Sequence, residues 1–164
     1  MTRWKLAAAW VAVQVFFFAG WAAVEQRRLT TGSSILVRTA PVDPRDLLRG
    51  QYLNLSYEFS RMTPFVDTGL QPEPGMDVWA ILTPAGEVHV PRGLFSVRPA
   101  QLGPGEVAIL GRADRWRALY GIEEYFVPEG SETPAQSDTT VRLRVGKDGL
   151  PRIEAVLVRG KPWP

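Results

Sequence analysis

Leu6-Ala7-Ala8-Ala9-Trp10-Val11-Ala12-Val13-Gln14-Val15-Phe16-Phe17-Phe18-Ala19-Gly20-Trp21-Ala22-Ala23-Val24 is a run of nineteen residues without a charge. At helical rise it spans about 28 Å, close to the hydrocarbon thickness of a bilayer. Trp4 and Trp21 stand near its two ends, where interfacial aromatic anchors belong. The run reads as a single transmembrane helix. A cleaved signal peptide is the competing reading, with an apolar core of about 7–15 residues and a small-x-small cleavage site. Gly20 and Ala22 offer small positions, but the run is longer than such a core, and bulky Phe16, Phe17, Phe18 and Trp21 crowd its second half. Gln14 is the only side-chain amide in the run and lies near the bilayer centre. An amide there seeks a hydrogen-bond partner, typically on another helix. Gln14 is therefore the candidate transmembrane contact, to a polytopic membrane protein or to a second copy in a homo-oligomer. The alternative is a bond to its own helix backbone or to a water.

Working outward, charge bears on orientation. The 164 residues carry 19 Lys plus Arg and 17 Asp plus Glu. Arg3 and Lys5 precede the run and the first acid is Glu25, so 17 residues of each sign follow it. A balanced domain gives no clustered basic surface, and no nucleic acid is expected as a partner. Arg3 and Lys5 favour a cytoplasmic N-terminus, with Arg27 and Arg28 pulling the other way. The expected arrangement is a single-pass protein of the inner (cytoplasmic) membrane. Residues 1–24 form the tail and anchor, 25–33 a juxtamembrane linker, and 34–164 an extracytoplasmic β-rich domain. The lack of cysteine excludes disulfides and thiol chemistry and fits either compartment.

Past the linker the pattern is strand-like. Ser34 to Thr39 is short and β-branched. Leu53, Leu55, Tyr57 and Phe59 alternate with Asn54, Ser56 and Glu58, which predicts one half-buried strand. Asp77 to Thr83 and Glu87 to Val90 flank Pro84-Ala85-Gly86 as a hairpin. Glu106 to Leu110 and Glu124 to Val127 are further short strands. Val141 to Val145 and Ile153 to Val158 flank a turn with Asp148-Gly149. Of the 15 glycines all but Gly20 and Gly32 fall here, with all 14 prolines, and they argue against long helices in this region. The expected class is mainly β: one transmembrane helix, then a compact small β-barrel or β-sandwich-like domain.

The segment Pro41-Val42-Asp43-Pro44-Arg45-Asp46-Leu47-Leu48-Arg49-Gly50-Gln51-Tyr52-Leu53-Asn54-Leu55-Ser56-Tyr57 resembles the bacterial family named for its own motif, the GDYXXLXY proteins. Gly50, Tyr52, Leu55 and Tyr57 match that motif, and Gln51 stands where Asp is usual. The downstream Tyr125-Phe126-Val127-Pro128-Glu129-Gly130 is similar too. The resemblance implies a membrane-anchored protein of undefined biochemical role, in a family whose genes often accompany those of polytopic membrane proteins, and it carries over no catalytic residue. From the residues themselves, Pro41 and Pro44 fix backbone angles, Asp43 and Asp46 can bond nearby amides, and Gly50 permits a reversal into the strand. Leu53, Leu55 and Tyr57 then face a core. Asp43, Arg45, Asp46, Arg49, Gly50, Gln51, Tyr52, Asn54 and Glu58 are the candidate binding surface. Pro41, Pro44, Leu55, Tyr57, Tyr125 and Pro128 are the structural part of the motif.

Enzymatic constellations are sparse. His89 is the only histidine, so no His-based metal cluster can form. On the face of Glu87 it reads as a solvated position, and no nucleophile elbow accompanies it. Beyond the tail, lysine occurs only at Lys147 and Lys161, in a turn and near the C-terminus, where neither suits a buried base. Asp43, Asp46 and Glu58 suggest a hydrolase or ion-binding site as the alternative class, though their spacing fits no familiar cation loop. Trp79 is expected in the core beside Ile81, Trp116 at the surface between Arg115 and Arg117, and Trp163 either packed back or exposed. The reading is a membrane-anchored, non-catalytic binding or accessory domain that needs no cofactor and no metal. Its partners are the lipid bilayer and a membrane or envelope protein.

Overall fold

The computed structural model of the chain describes residues 3–40, 48–49, 52–128, 134–135 and 138–163. The chain divides into two units, Met1–Gly32 and Ser33–Pro164. The first unit holds one helix, α1 (Arg3–Thr30). Its stretch Arg3–Val24 is long and apolar enough to cross a membrane. Phe17 packs edge-on against Phe18 and Trp21, at centroid distances of 5.6 and 6.0 Å. Every described side chain of Arg3–Val24 is nonetheless exposed, with Phe16 at 78%. Each large apolar side chain left in water forgoes about 1.5–3 kcal/mol of burial. Such a helix could serve as a membrane anchor or as a signal sequence.

Among the described residues the second unit has eleven strands. They are β1 (Ser33–Arg38), β2 (Leu48–Arg49), β3 (Tyr52–Asn54), β4 (Asp77–Ala85), β5 (Val88–Phe95), β6 (Val107–Ala113), β7 (Ala118–Leu119), β8 (Glu124–Phe126), β9 (Thr139–Val145), β10 (Pro151–Val158) and β11 (Lys161–Trp163). Eight form one sheet in the order β11-β10-β9-β1-β5-β4-β6-β7, and β2-β3-β8 form a small second sheet. All pairings are antiparallel except β1 with β5, which meet in parallel at Val37 and His89. Period-2 burial explains the strands: Val141, Leu143 and Val145 point in from β9 while Arg142 and Arg144 stay at the rim. Two bulges add curl. Ile81 pairs Gly93 while Leu82 pairs Pro91, which leaves Arg92 extra on β5; a second shift lies between Ile153 and Ala155 on β10. The β9–β10 turn reaches back to β6, where the Leu110 N–H donates to the Gly149 carbonyl at 2.9 Å.

The domain is mainly β, as the sequence predicts, but no barrel closes. The large sheet ends at β11 and β7. Leu53 of the small sheet shares one hydrophobic core with Val78, Ile109, Val141 and Leu143 of the large one. Three expectations change. Leu53 to Phe59 is not one strand: β3 stops at Asn54, Tyr57 bridges Thr39, and a 3-10 turn covers Glu58–Ser60. The chain changes partner within the segment, because the Leu55 N–H donates to Glu123 while the Ala40 N–H donates to Ser56. Tyr57 is extended, at φ −126° and ψ 151°, and alternate burial continues past the end of the ladder. Trp79 does not fill the core, where Val78, Ala80 and Leu82 point instead. Its half-buried ring lies on the opposite face, against Gly149 and under the Arg98 guanidinium at 5.5 Å. His89 is half-buried rather than solvated. Its Nε2 lies 3.2 Å from the Gly105 carbonyl, and its Nδ1 is buried without a partner.

Candidate functional site

The motif strand sorts its side chains by face. Leu55 and Tyr57 are 2% and 1% exposed. The Tyr57 hydroxyl donates to the Ile122 carbonyl at 2.7 Å, and its ring stacks on Phe59 at 5.0 Å. Phe59 in turn meets Tyr120 edge-on at 4.9 Å, and the Tyr120 hydroxyl donates to the Phe59 carbonyl at 2.9 Å. Burial pushes both tyrosine hydroxyls well above their usual value, and the charge of Glu123 adds to the shift. These are neutral hydrogen-bond donors that lock the segment in place. Tyr125 is half-buried against the same core, and Pro128 is exposed.

Tyr52 faces the other way. It is 46% exposed and pairs in register with Phe126, itself 57% exposed. Their rings meet edge-on at 5.7 Å. Asn54 and Glu124 are the next outward pair along the two strands. Arg49 pairs with Tyr52 across β2 and β3. The strand thus carries an exposed aromatic pair on an otherwise polar face. Pro41, Asp43, Pro44, Arg45, Asp46, Gly50 and Gln51 lie outside the described residues.

Glu58 leads to a second feature, a cleft of about 550 Å³ beside β5. Phe59, Pro64 and Leu94 give it apolar walls, and Glu58, Arg61 and Arg92 line it with charge. Arg92 is the bulged residue of β5, and its Nη1 donates to both oxygens of Glu106 at 3.2 and 3.1 Å. Glu106 also accepts from the Gly103 N–H at 2.8 Å and the Thr83 hydroxyl at 3.0 Å. The Gly103 bond first, then Thr83 and Arg92, hold this carboxyl below the usual range. Arg92 is therefore oriented by a carboxylate that is itself fixed. Neither histidine nor lysine lines the cleft, and no metal-binding group of acids occurs among the described residues.

A family model described as GDYXXLXY protein matches residues 14–156. The chain belongs to the GDYXXLXY protein family. No curated protein and no solved structure matches it. In this GDYXXLXY protein, core packing accounts for Leu55 and Tyr57 of the motif. Packing leaves Tyr52 half out of the fold. Phe126, Arg92 and Glu106 were not singled out from the sequence as site residues. Only the Tyr125-Phe126 segment signalled any of them, because the Arg92–Glu106 pair depends on a bulge and a strand order that no local pattern shows.

Proposed function

We propose that this GDYXXLXY protein is a membrane-anchored, non-catalytic binding or accessory domain of the bacterial inner membrane, with its β-domain extracytoplasmic. It acts with a polytopic membrane protein or another envelope protein. The observation that carries the reading is the bare apolar helix, whose side chains need lipid or another helix around them. The exposed Tyr52–Phe126 pair supports a binding role for the domain, since aromatic anchors dominate protein interfaces. Gln14, exposed on α1, supports a helix contact inside the bilayer. Photocrosslinkers at positions 14 and 18, compared with 16, and at 52 and 126, compared with Glu87, test both surfaces in intact cells. One membrane protein captured from 14, 18, 52 and 126 and not from the controls is the expected outcome. Equal capture from all positions, or none, defeats the proposal.

A further inference from the structure

The cleft beside β5 opens where that strand loses its neighbour. β1 pairs with β5 at Val37 and His89. Further along, Phe65 bridges Leu94, and the Val66 N–H donates to the Leu94 carbonyl at 2.7 Å. Between these contacts Pro91, Arg92 and Gly93 have no strand on that side among the described residues. Pro91 has no N–H with which to continue the ladder. The segment from Glu58 to Val66 passes round the opening and completes a cleft of about 550 Å³. That volume is in the range of small-molecule sites.

The charged groups in the cleft are of both signs. Arg92 is held on two sides. Its Nη1 donates to Glu106, and its guanidinium lies 5.7 Å from the centre of the Phe95 ring. Among the described residues its Nε and Nη2 have no acceptor, so a preset guanidinium edge is left for a ligand. Glu58 and Arg61 stand three residues apart across the 3-10 turn Glu58–Ser60, a spacing that puts side chains on one side of such a turn. Both are exposed, and neither makes an ion pair among the described residues. Phe59, Pro64 and Leu94 supply the apolar walls. Guanidiniums take carboxylate oxygens through paired N–H donors, and a carboxylate such as Glu58 takes N–H donors in turn. An inorganic anion would leave Glu58 and the walls unused. A fatty acid would bring no donor to Glu58. An apolar amino-acid residue with a free α-carboxylate brings all three: the acid, a nitrogen donor on the same carbon, and an apolar side chain. We propose that this cleft binds the α-carboxylate end of an apolar residue. The carboxylate lies on Arg61 and Arg92, the nitrogen on Glu58, and the side chain against Phe59, Pro64 and Leu94. A free amino acid and the C-terminus of a peptide share that chemistry. The site lies wholly within the β-domain and stands whether or not the chain is anchored in a membrane.

Saturation-transfer NMR on the full chain in a non-ionic detergent tests it. The probes are N-acetyl-leucine, its amide N-acetyl-leucinamide, N-acetyl-alanine, free leucine and the dipeptide N-acetyl-alanyl-leucine. N-acetyl-leucine should bind saturably, and the amide about tenfold or more weakly, since it lacks the charge that the arginines take. N-acetyl-alanine should bind several-fold more weakly than N-acetyl-leucine, for want of apolar surface. Arg61→Gln and Arg92→Lys should each weaken N-acetyl-leucine by about tenfold, the second because a lysine keeps the charge and loses the fork. Arg115→Gln, outside the cleft, should leave binding unchanged. Near-ultraviolet circular dichroism checks that each variant is folded. If Arg92→Lys is not, the exposed Arg61 decides alone. Tighter binding of free leucine, with Glu58→Gln weakening leucine more than N-acetyl-leucine, assigns the site to free amino acids. Tighter binding of the dipeptide assigns it to peptide C-termini, and both results support the proposal. Equal binding of acid and amide overturns it. So does binding that survives Arg61→Gln unchanged, or the absence of saturable binding up to the solubility limit of the probes.

Discussion

Replacing Tyr57 with alanine tests the two-faced reading of the motif. The side chain is 1% exposed, stacks on Phe59 and donates to the Ile122 carbonyl. Truncating a buried large aromatic costs about 3–5 kcal/mol, counting lost burial and the cavity left behind. The orphaned carbonyl adds on the order of 1 kcal/mol. Tyr57→Phe keeps the ring and the stack and loses only the hydroxyl bond, so it should cost about 1–2 kcal/mol. Tyr52→Ala removes a ring that is 46% exposed and rests against Phe126, worth under about 1 kcal/mol to the fold. The order expected is Tyr57→Ala, then Tyr57→Phe, then Tyr52→Ala. Urea unfolding of the full chain in mild detergent, followed by near-ultraviolet circular dichroism, reads the loss of packing around the aromatic rings buried in the β-domain. Equal losses for Tyr52→Ala and Tyr57→Ala, or the reverse order, would refute the assignment of faces.

Alkali should unfold the domain through Tyr57 and Tyr120. Their folded-state proton affinities are raised, so their contribution is complete below the ordinary tyrosine value of 10.0 and is lost as pH rises beyond it. Each contributes a slope of about 1.4 kcal/mol per pH unit above that value, and a spectrophotometric titration should show two of the four tyrosines ionising only with unfolding. Acid should act through Glu106, whose affinity is lowered. Its contribution is present at neutral pH and is lost as pH falls through and below the ordinary carboxylate range, so Glu106→Gln should flatten the acid limb of a melting-temperature profile. Gly149 has φ +84° and lies against the Trp79 ring, so Gly149→Ala should destabilise the domain by about 1–3 kcal/mol, measured by the same urea titration.

Periodicity made much of the fold legible. The apolar run gives α1, and alternation gives β9, whose Val141, Leu143 and Val145 are all buried. Asp148-Gly149 marks the β9–β10 turn, with Gly149 in the left-handed region the dipeptide implies. The burial of Leu53, Leu55, Tyr57 and Phe59 also follows from the sequence, but their membership of one strand does not. Alternation reports which face a side chain takes, not which strand its backbone bonds. Trp79 shows the same limit from another side. Alternation with Ile81 is correct, yet both faces of β4 are covered, so the pattern alone cannot say which face holds the main core. Strands of two or three residues, such as β7 and β11, are too short to leave a period. In the candidate site, the outward face of Tyr52 was readable from its alternation with Leu53, Leu55 and Tyr57. Its pairing with Phe126 required the β3–β8 register, and the Arg92–Glu106 arrangement required the β5 bulge.

The central claim is an uncleaved membrane anchor joined to a β-domain. Membranes washed in alkaline carbonate, with intact mass measured on the retained protein, test it most directly. The account predicts that the chain stays in the pellet at its full 18.2 kDa. Release of the full-length chain into the supernatant, or recovery of a species lacking the Leu6–Val24 segment, would contradict it.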